Sequence, residues 1–490
     1  MVLVWPNRFN EVNQRTMNSA KPPEAPLTWL KSLFYLVMAV ASFHVAYASI
    51  KIPAAGLMIF GYAYALVRLA DQSNARRAFY FGLTTGFLCY APELFFFWKI
   101  FSALAIALWF IVAFWIGLFM AIVCAAARRW GKDRVVWLMP VVWTGLEYFR
   151  SELYYLKFSW VNIGYALPQF FSGPGAWRIG MYAVGFAVFA LMAALAYRPA
   201  IKRITLLEWL LIVPTLGLIL VTMFPVNLRA DHHTAVRIAG IQMEFPPEHI
   251  LPRALDRALA RNTNAQVFVL SEYTLDGGVP DALKKWCRDN SRYLIVGGRD
   301  FTTNEVFFNT AFVVGTNGEV VFQQAKCKPI QFFKDGLPAP EQKVWDSPWG
   351  KIGICICYDL SFTRVTDELV RQGAQMLIVP TMDVSEWGRH QHELHSRVAP
   401  VRAAEYGIPI FRLASSGISQ AVAWNGDIIA ETPMPGNGDI LATKINLYSS
   451  GTLPLDRYLA PVCTGLTAAI VGCLLLLQWW EHRQKFRNSD

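Results

Sequence analysis

Residues 351–360 read KIGICICYDL, and a helical pattern, LSFTRVTDELVRQG, begins at Leu360. An apolar, β-rich run that gives way to a helix through a short polar turn is one unit of an α/β or α+β domain. The turn carries Cys357-Tyr358-Asp359. A thiol at a strand-to-helix turn can stand beside backbone N–H groups that lower its pKa and can hold an oxyanion. Cys357 is therefore the candidate nucleophile. Cys355, inside the apolar run, reads as core.

The flanking region, residues 235–447, repeats the pattern. VRIAGIQM, QVFVLSE, YLIVGG, VFFNTAFVVG, QMLIVP, IPIFRLASS and SQAVAW are short runs separated by polar or helix-patterned segments. Gly315–Glu319 and Asn425-Gly426-Asp427 are hairpin turn signals. A nucleophile needs a base and a cation close by, and two strand ends offer them. Glu272 interrupts the apolar run in QVFVLSEYTLDGG, and Lys326 follows the run in VVFQQAKCKPIQFF. Singly, each has a plainer reading, as a solvated loop carboxylate or a surface lysine. Three different chemistries at three strand ends, converging on one edge, make a more specific pattern.

The rest of the chain has another character. Of its 490 residues 54% are hydrophobic and 16% charged, where a soluble enzyme carries roughly a quarter charged. The net charge of +10 would suit nucleic acid, but Lys and Arg cluster beside apolar runs and no nucleic-acid motif accompanies them. The eight cysteines do not make a disulfide scaffold. Long apolar runs begin at Thr28, Ile52, Ala78, Ser102, Val135, Ile179, Leu206 and Thr464. A membrane span takes about 20 apolar residues, so these runs predict about eight spans, seven before the β-rich region and one after it.

Basic clusters at Arg76-Arg77, Arg128–Arg134, Arg198–Arg203 and Arg483–Arg487 occupy alternate connections. The positive-inside rule then sets both termini in the cytoplasm and the β-rich region outside it. The predicted organisation is a cytoplasmic segment without signal-peptide layout (1–26), a seven-span membrane domain (27–225), an extracytoplasmic catalytic domain (226–457), a transmembrane helix (458–481) and a cytoplasmic tail (482–490).

Glu, Lys and Cys in that chain order, set in SEYTLDG, AKCK and ICICYD, resemble the nitrilase (carbon–nitrogen hydrolase) superfamily. VRIAGIQM, GAQMLIVPT and VRAAEYGIPIFRLASSGIS add to the likeness. The resemblance implies an α-β-β-α sandwich and a Glu272–Lys326–Cys357 triad that forms an acyl-enzyme thioester. In the membrane half, PVVWTGLEYFRSELYYLKFSWVNIGYALPQ (140–169) and YFGLTTGFLCYAPELFFFW (80–98) are similar to the apolipoprotein N-acyltransferase family. That likeness implies a multi-pass protein of the bacterial inner membrane, with its catalytic domain on the periplasmic side. A phospholipid would be the acyl donor and the N-terminal amine of a diacylglyceryl-cysteine lipoprotein the acceptor. Glu272 would be the general base and Lys326 the oxyanion stabiliser, with Tyr358 and Asp359 shaping the oxyanion site. No cofactor or metal is implied.

The chain departs from the family in places. Where the family reads V-P-F-G-E this chain has IQFFKDG, which puts Lys334 at the Glu position and leaves Asp335 as the candidate lid-loop carboxylate. Met382 replaces an Asn, and no Trp stands at the expected spacing after Gln242. The departures keep a second reading open, a membrane-tethered amidase or hydrolase linked to conjugal transfer or envelope processing. A non-enzymatic assembly factor is disfavoured by the intact trio. His390, His392 and His395 in GRHQHELHS nearly imitate a zinc motif, but HELH is one residue short of the i, i+4 pair, so His392 is expected to be structural or pocket-lining. Glu93, and Glu147 with Arg150, are ionisable groups at membrane depth, and the latter two are expected to pair.

Overall fold

The computed structural model describes residues 27–48, 52–167, 179–197, 234–302 and 306–487. Among the described residues, twelve strands form two six-stranded sheets. In chain order they are β1 (Thr234–Ile241), β2 (Val267–Leu270), β3 (Tyr293–Phe301), β4 (Phe307–Val314), β5 (Val320–Ala325), β6 (Val344–Ser347), β7 (Gly350–Ile354), β8 (Met376–Thr381), β9 (Ile410–Ala414), β10 (Gln420–Val422), β11 (Ile428–Glu431) and β12 (Ile440–Leu447). The sheet orders are β12-β1-β2-β3-β4-β5 and β11-β10-β9-β8-β7-β6.

The centre of each sheet is parallel: β1 with β2 and β2 with β3, then β7 with β8 and β8 with β9. Helices Leu251–Arg261 and Asp281–Asn290 make the crossovers in one sheet; Thr363–Arg371, and the pair Arg389–Ser396 and Val398–Tyr406, make them in the other. The sheets face each other across Val236, Ile238, Val267 and Ile295 on one side and Ile354, Ile378, Phe411 and Leu413 on the other. Buried on both faces, the central strands read as continuous apolar runs such as VFVL. Leu251, Ala254, Leu255 and Ala258 are the buried stripe of the first crossover helix, at the 3.6-residue period. The result is an α-β-β-α sandwich, with both expected hairpins at Gly315–Glu319 and Asn425–Asp427.

The apolar runs fold as helices, although not as eight clear spans. By length and composition, three helices among the described residues could cross a membrane: Trp29–Tyr47, Leu104–Trp130 and Asp456–Arg487. The run from Ile52 is broken after Gly56, leaving a 12-residue helix, Met58–Leu69. Those from Val135 and Ile179 become 17-residue helices, Lys132–Tyr148 and Met181–Tyr197, the first passing at Phe149 into a π-helical turn. Ala75–Glu93 has 19 residues but carries Arg76, Arg77 and Glu93. The expected seventh span, from Leu206, lies outside the described residues. The last helix outruns its expected bounds and continues through most of the 482–490 tail.

The bundle is tight because small residues let backbones meet. A Cβ on Gly82 would come within 2.8 Å of the Gly117 Cα, and one on Gly86 within 2.9 Å of the Ala113 Cα. The expected Glu147–Arg150 pair does not form. Glu147 accepts from the Ile163 N–H at 3.0 Å, and the Arg150 guanidinium turns to the Tyr90 hydroxyl and the Asn162 side chain.

Sheet domain and helices are bonded together around the turn after β7. Trp160 Nε1 donates to Ser361 Oγ at 2.9 Å, Tyr358 donates its hydroxyl to the Lys157 carbonyl at 2.9 Å, and the Thr363 N–H donates to Glu152 at 3.1 Å. Arg457, near the start of the last helix, reaches Asp367 at 2.9 Å and Glu405 at 3.3 Å. Glu93 shares hydrogen bonds with His44 at 2.6 Å and with His390 of the sheet domain at 2.5 Å. The segment bearing Cys357 is thus fixed to the helical half by side chains on both sides.

Candidate functional site

Lys326 follows β5, and its backbone N–H donates to the Asn309 carbonyl on β4 at 2.7 Å, which sets where its side chain starts. The ammonium lies fully buried between two carboxylates, 2.8 Å from Glu272 and 2.8 Å from Asp335. Asn309 Nδ2 donates to both, at 2.6 and 2.9 Å. Asp335 also accepts from the Tyr273 hydroxyl at 2.7 Å and the Ile330 N–H at 2.6 Å. The residue expected on a lid is therefore part of the buried cluster.

Glu272 follows β2, and the next residue, Tyr273, has φ +54°. Gly297 on β3 allows this loop to sit where it does: a Cβ there would lie 2.6 Å from the Glu272 Cα. Glu272 Oε2 accepts the Met382 N–H at 2.7 Å, and the Met382 carbonyl lies 3.7 Å from the Cys357 sulfur. Met382, the residue after β8, thus joins the Glu272 carboxylate to the thiol. Cys357 has φ +51°, a left-handed conformation uncommon for a residue with a Cβ, as at many sharp functional turns.

The electrostatics divide the two carboxylates. Burial opposes the charge of Lys326, but Asp335 and Glu272 outweigh it and hold the ammonium well above its ordinary range. Asp335, against burial, is held below the usual carboxylate range by Lys326 and its hydrogen bonds. Glu272 is pushed up by burial, which Lys326 only partly offsets and Asp335 reinforces. Of the two, Glu272 is the better proton acceptor. Burial, then the Glu272 charge, pushes the Cys357 thiol well above its ordinary value, so it rests protonated and needs that acceptor.

Two further residues singled out by sequence have different tasks. Asp359 accepts the N–H groups of Cys327, Lys328 and Ile356 at 3.0, 2.6 and 3.2 Å. Its carboxylate ties the segment after Lys326 to the turn at Cys357 and is taken up in doing so. The Tyr358 ring lines the cavity beside Cys357, and its hydroxyl is held by Lys157. Cys355 is fully buried in the core.

Sequence reading missed Asn309, whose one signal is a lone amide in the apolar VFFNTAFVV, and Tyr273. It also missed a buried group behind Met382. Asp383 pairs with Arg412, lies 2.8 Å from His395 Nδ1, and is held well below the usual carboxylate range: burial opposes this, but His395 and Arg412 prevail. His392, expected to be structural or pocket-lining, is buried 3.8 Å from Asp383. His395, rather than His392, reaches the cavity. Among the described residues no cluster of His, Cys, Asp and Glu could hold a metal ion.

Cys357 opens into a cleft that holds about 850 Å³ of empty space, the solvent-open mouth included. One wall is Phe96, Phe97, Leu108 and Val112 from the helical half, and another is Ile330, Phe332 and Phe333 from the loop before Asp335. Phe332 and Phe333 lie against Phe101, with ring centroids 6.2 and 5.7 Å apart. The thiol therefore lies on an apolar cleft walled jointly by the helical half and the sheet domain.

Comparison with known proteins agrees with this two-part construction. Residues 37–196 match the apolipoprotein N-acyltransferase N-terminal domain, and residues 222–453 match the carbon–nitrogen hydrolase domain. The chain is similar to the apolipoprotein N-acyltransferase of Geobacter metallireducens, 24% identical over 76% of this chain and 82% of that protein. It is also similar to that of Shewanella oneidensis, 23% identical over 85% and 89% of the two. The hydrolase half alone resembles the deaminated glutathione amidase of Dictyostelium discoideum, 26% identical over 35% of this chain and 66% of that protein. The chain therefore joins an N-terminal domain like that of apolipoprotein N-acyltransferases to a carbon–nitrogen hydrolase domain of the nitrilase superfamily.

Proposed function

We propose that this protein is a membrane-bound N-acyltransferase working through a thioester on Cys357. The observation that carries the reading is the opening of Cys357 into a cleft walled by Phe96, Leu108 and Val112 of the helical half. A soluble amidase has no use for such a wall.

In the first half-reaction Glu272 takes the thiol proton and the Cys357 sulfur attacks the ester carbonyl of a phospholipid. The Lys326 ammonium stabilises the oxyanion, as a preorganised charge in a dry site does effectively. The C–O bond breaks, Glu272 returns the proton to the leaving alcohol, and a lysophospholipid departs. In the second, the free α-amine of a diacylglyceryl-cysteine attacks the thioester, the C–S bond breaks, and Glu272 carries a proton from nitrogen to sulfur. Asp335 keeps Lys326 charged throughout, and Asn309 holds both carboxylates in place.

The proposed arrangement keeps the organisation expected from sequence: seven spans in 27–225, a catalytic domain in 226–457 facing the periplasm, and a final span from 458 in a bacterial inner membrane. Donor and acceptor are both anchored in the leaflet next to the site, which makes their meeting a local event. The alternative, a membrane-tethered amidase, draws support from the likeness of the hydrolase half to an amidase. The test is the mass of a lipoprotein N-terminal peptide in cells depleted of this protein. Loss of the third acyl chain supports the acyltransferase. An unchanged peptide overturns it in favour of the hydrolase.

A further inference from the structure

His395 lies on helix Arg389–Ser396, buried, on the wall of the Cys357 cleft. Its ring stacks on Trp160, centroids 4.4 Å apart and planes within 19° of parallel, so its plane is fixed. Nδ1 is 2.8 Å from Asp383 Oδ1 and 2.9 Å from Arg412 Nη2. Arg412 already donates to Asp383 Oδ2 and the Ile418 carbonyl. The imidazole N–H therefore belongs on Nδ1, donated to the carboxylate, and the tautomer is set by that bond. Nε2 is left as a lone pair with no partner among the described residues, although it is buried. A buried acceptor without a partner costs free energy and is explained most simply by a ligand that donates to it. Met382-Asp383 connects it to the nucleophile, since Met382 contacts the Cys357 sulfur and Asp383 holds His395.

Resting on the acyl-transfer reading, we propose that His395 Nε2 accepts a hydrogen bond from one N–H of the incoming amine and so orients it for attack on the Cys357 thioester. The amine attacks as R–NH2: one N–H points to Nε2, the nitrogen lone pair points to the thioester carbonyl, and the C–N bond forms as the C–S bond breaks. The remaining proton passes through Glu272 to the departing sulfur. His395 gains and loses no proton itself. The donor ester, which has no N–H at its reacting centre, makes no use of this contact. His395 therefore separates the two halves of the reaction.

The experiment uses the full chain in detergent with phosphatidylethanolamine micelles and a synthetic diacylglyceryl-cysteine peptide. Lysophospholipid release and the mass of the acylated protein follow the first half-reaction; acylated peptide and free fatty acid follow the second. His395→Phe preserves ring stacking and removes both ring nitrogens, the Nδ1–H donated to Asp383 included, and His395→Gln restores a polar group. The expected result for His395→Phe is acyl-enzyme formation close to that of wild type, with transfer to the peptide lowered about tenfold, the scale of one lost oriented hydrogen bond. Free fatty acid should rise at the expense of acylated peptide, and His395→Gln should recover part of the transfer. Transfer at the wild-type rate in both variants overturns the proposal, as does a fall in acyl-enzyme that parallels the fall in transfer. A wild type that forms no acyl-enzyme overturns the acyl-transfer reading itself, an outcome distinct from the other two.

Discussion

The ammonium of Lys326 and the carboxylate of Asp335 stand 2.8 Å apart, both buried. Asp335 is thus a structural counter-ion of the site as well as a neighbour of its loop. Asp335→Asn should leave one anion, Glu272, to hold the lysine, which drags Glu272 toward the usual carboxylate range and makes it a weaker base. The Tyr273 hydroxyl and the Ile330 N–H also lose their charged acceptor, at about 1–3 kcal/mol. Thermal unfolding should therefore fall measurably, and the rate of acyl-enzyme formation should drop at least about tenfold, the effect of ~1.4 kcal/mol on a barrier. Asp335→Glu should recover part of both.

Cys357 takes a positive φ despite its Cβ, and this strain is separable from its chemistry. Cys357→Ala and Cys357→Gly should both abolish turnover. Cys357→Gly should unfold at the higher temperature of the two, because glycine relieves about 1 kcal/mol of left-handed strain. Equal stabilities would argue that the turn relaxes once the thiol is gone.

Much of this site could be read in the sequence because its main groups end strands. Glu272, Lys326 and Cys357 each follow an apolar run whose type is unmistakable, and the runs fold as β2, β5 and β7. What could not be read depends on tertiary packing. Asn309 looks like a stray amide until β4 lies between β3 and β5. Asp335 seemed displaced by one position from its family equivalent, but chain folding, with Phe332 at φ +67°, brings its carboxylate to Lys326. His395 and His392 are three residues apart on one short helix, and only the cleft distinguishes them. The spans are only partly legible for a related reason: an apolar run reports burial, and in Met58–Leu69 and Met181–Tyr197 much of that burial is against neighbouring helices.

His395 also predicts a pH dependence. Burial pushes its pKa down to about 4, with Asp383 opposing and Arg412 assisting. Above pH 6.5 the imidazole is neutral folded or unfolded and contributes nothing. Between 6.5 and 4 the unfolded chain binds a proton that the folded site resists, so stability is lost as pH falls across that window. The loss is of order 3 kcal/mol. Denaturant unfolding of wild type and His395→Gln from pH 7.5 to 4 should show the wild type falling more steeply; parallel curves would refute the assignment.

The cleft wall predicts chain-length preference. Val112 faces the cavity from helix Leu104–Trp130, so Val112→Trp should shorten the available space without touching Glu272, Lys326 or Cys357. Transfer from long-chain phospholipids should fall at least about tenfold relative to short-chain donors, since losing a few methylene contacts at ~0.8 kcal/mol each is sufficient. Competition between donors of two chain lengths, followed by product mass, measures the ratio directly.

The most direct test of the central claim is the intact mass of the full chain after incubation with phospholipid and no acceptor. The account predicts a gain of one acyl group, mapped to the peptide containing Cys357, absent in Cys357→Ala and discharged by an amine. Acyl transfer to an amine that proceeds in Cys357→Ala, or an acyl group carried on any other residue, would contradict it.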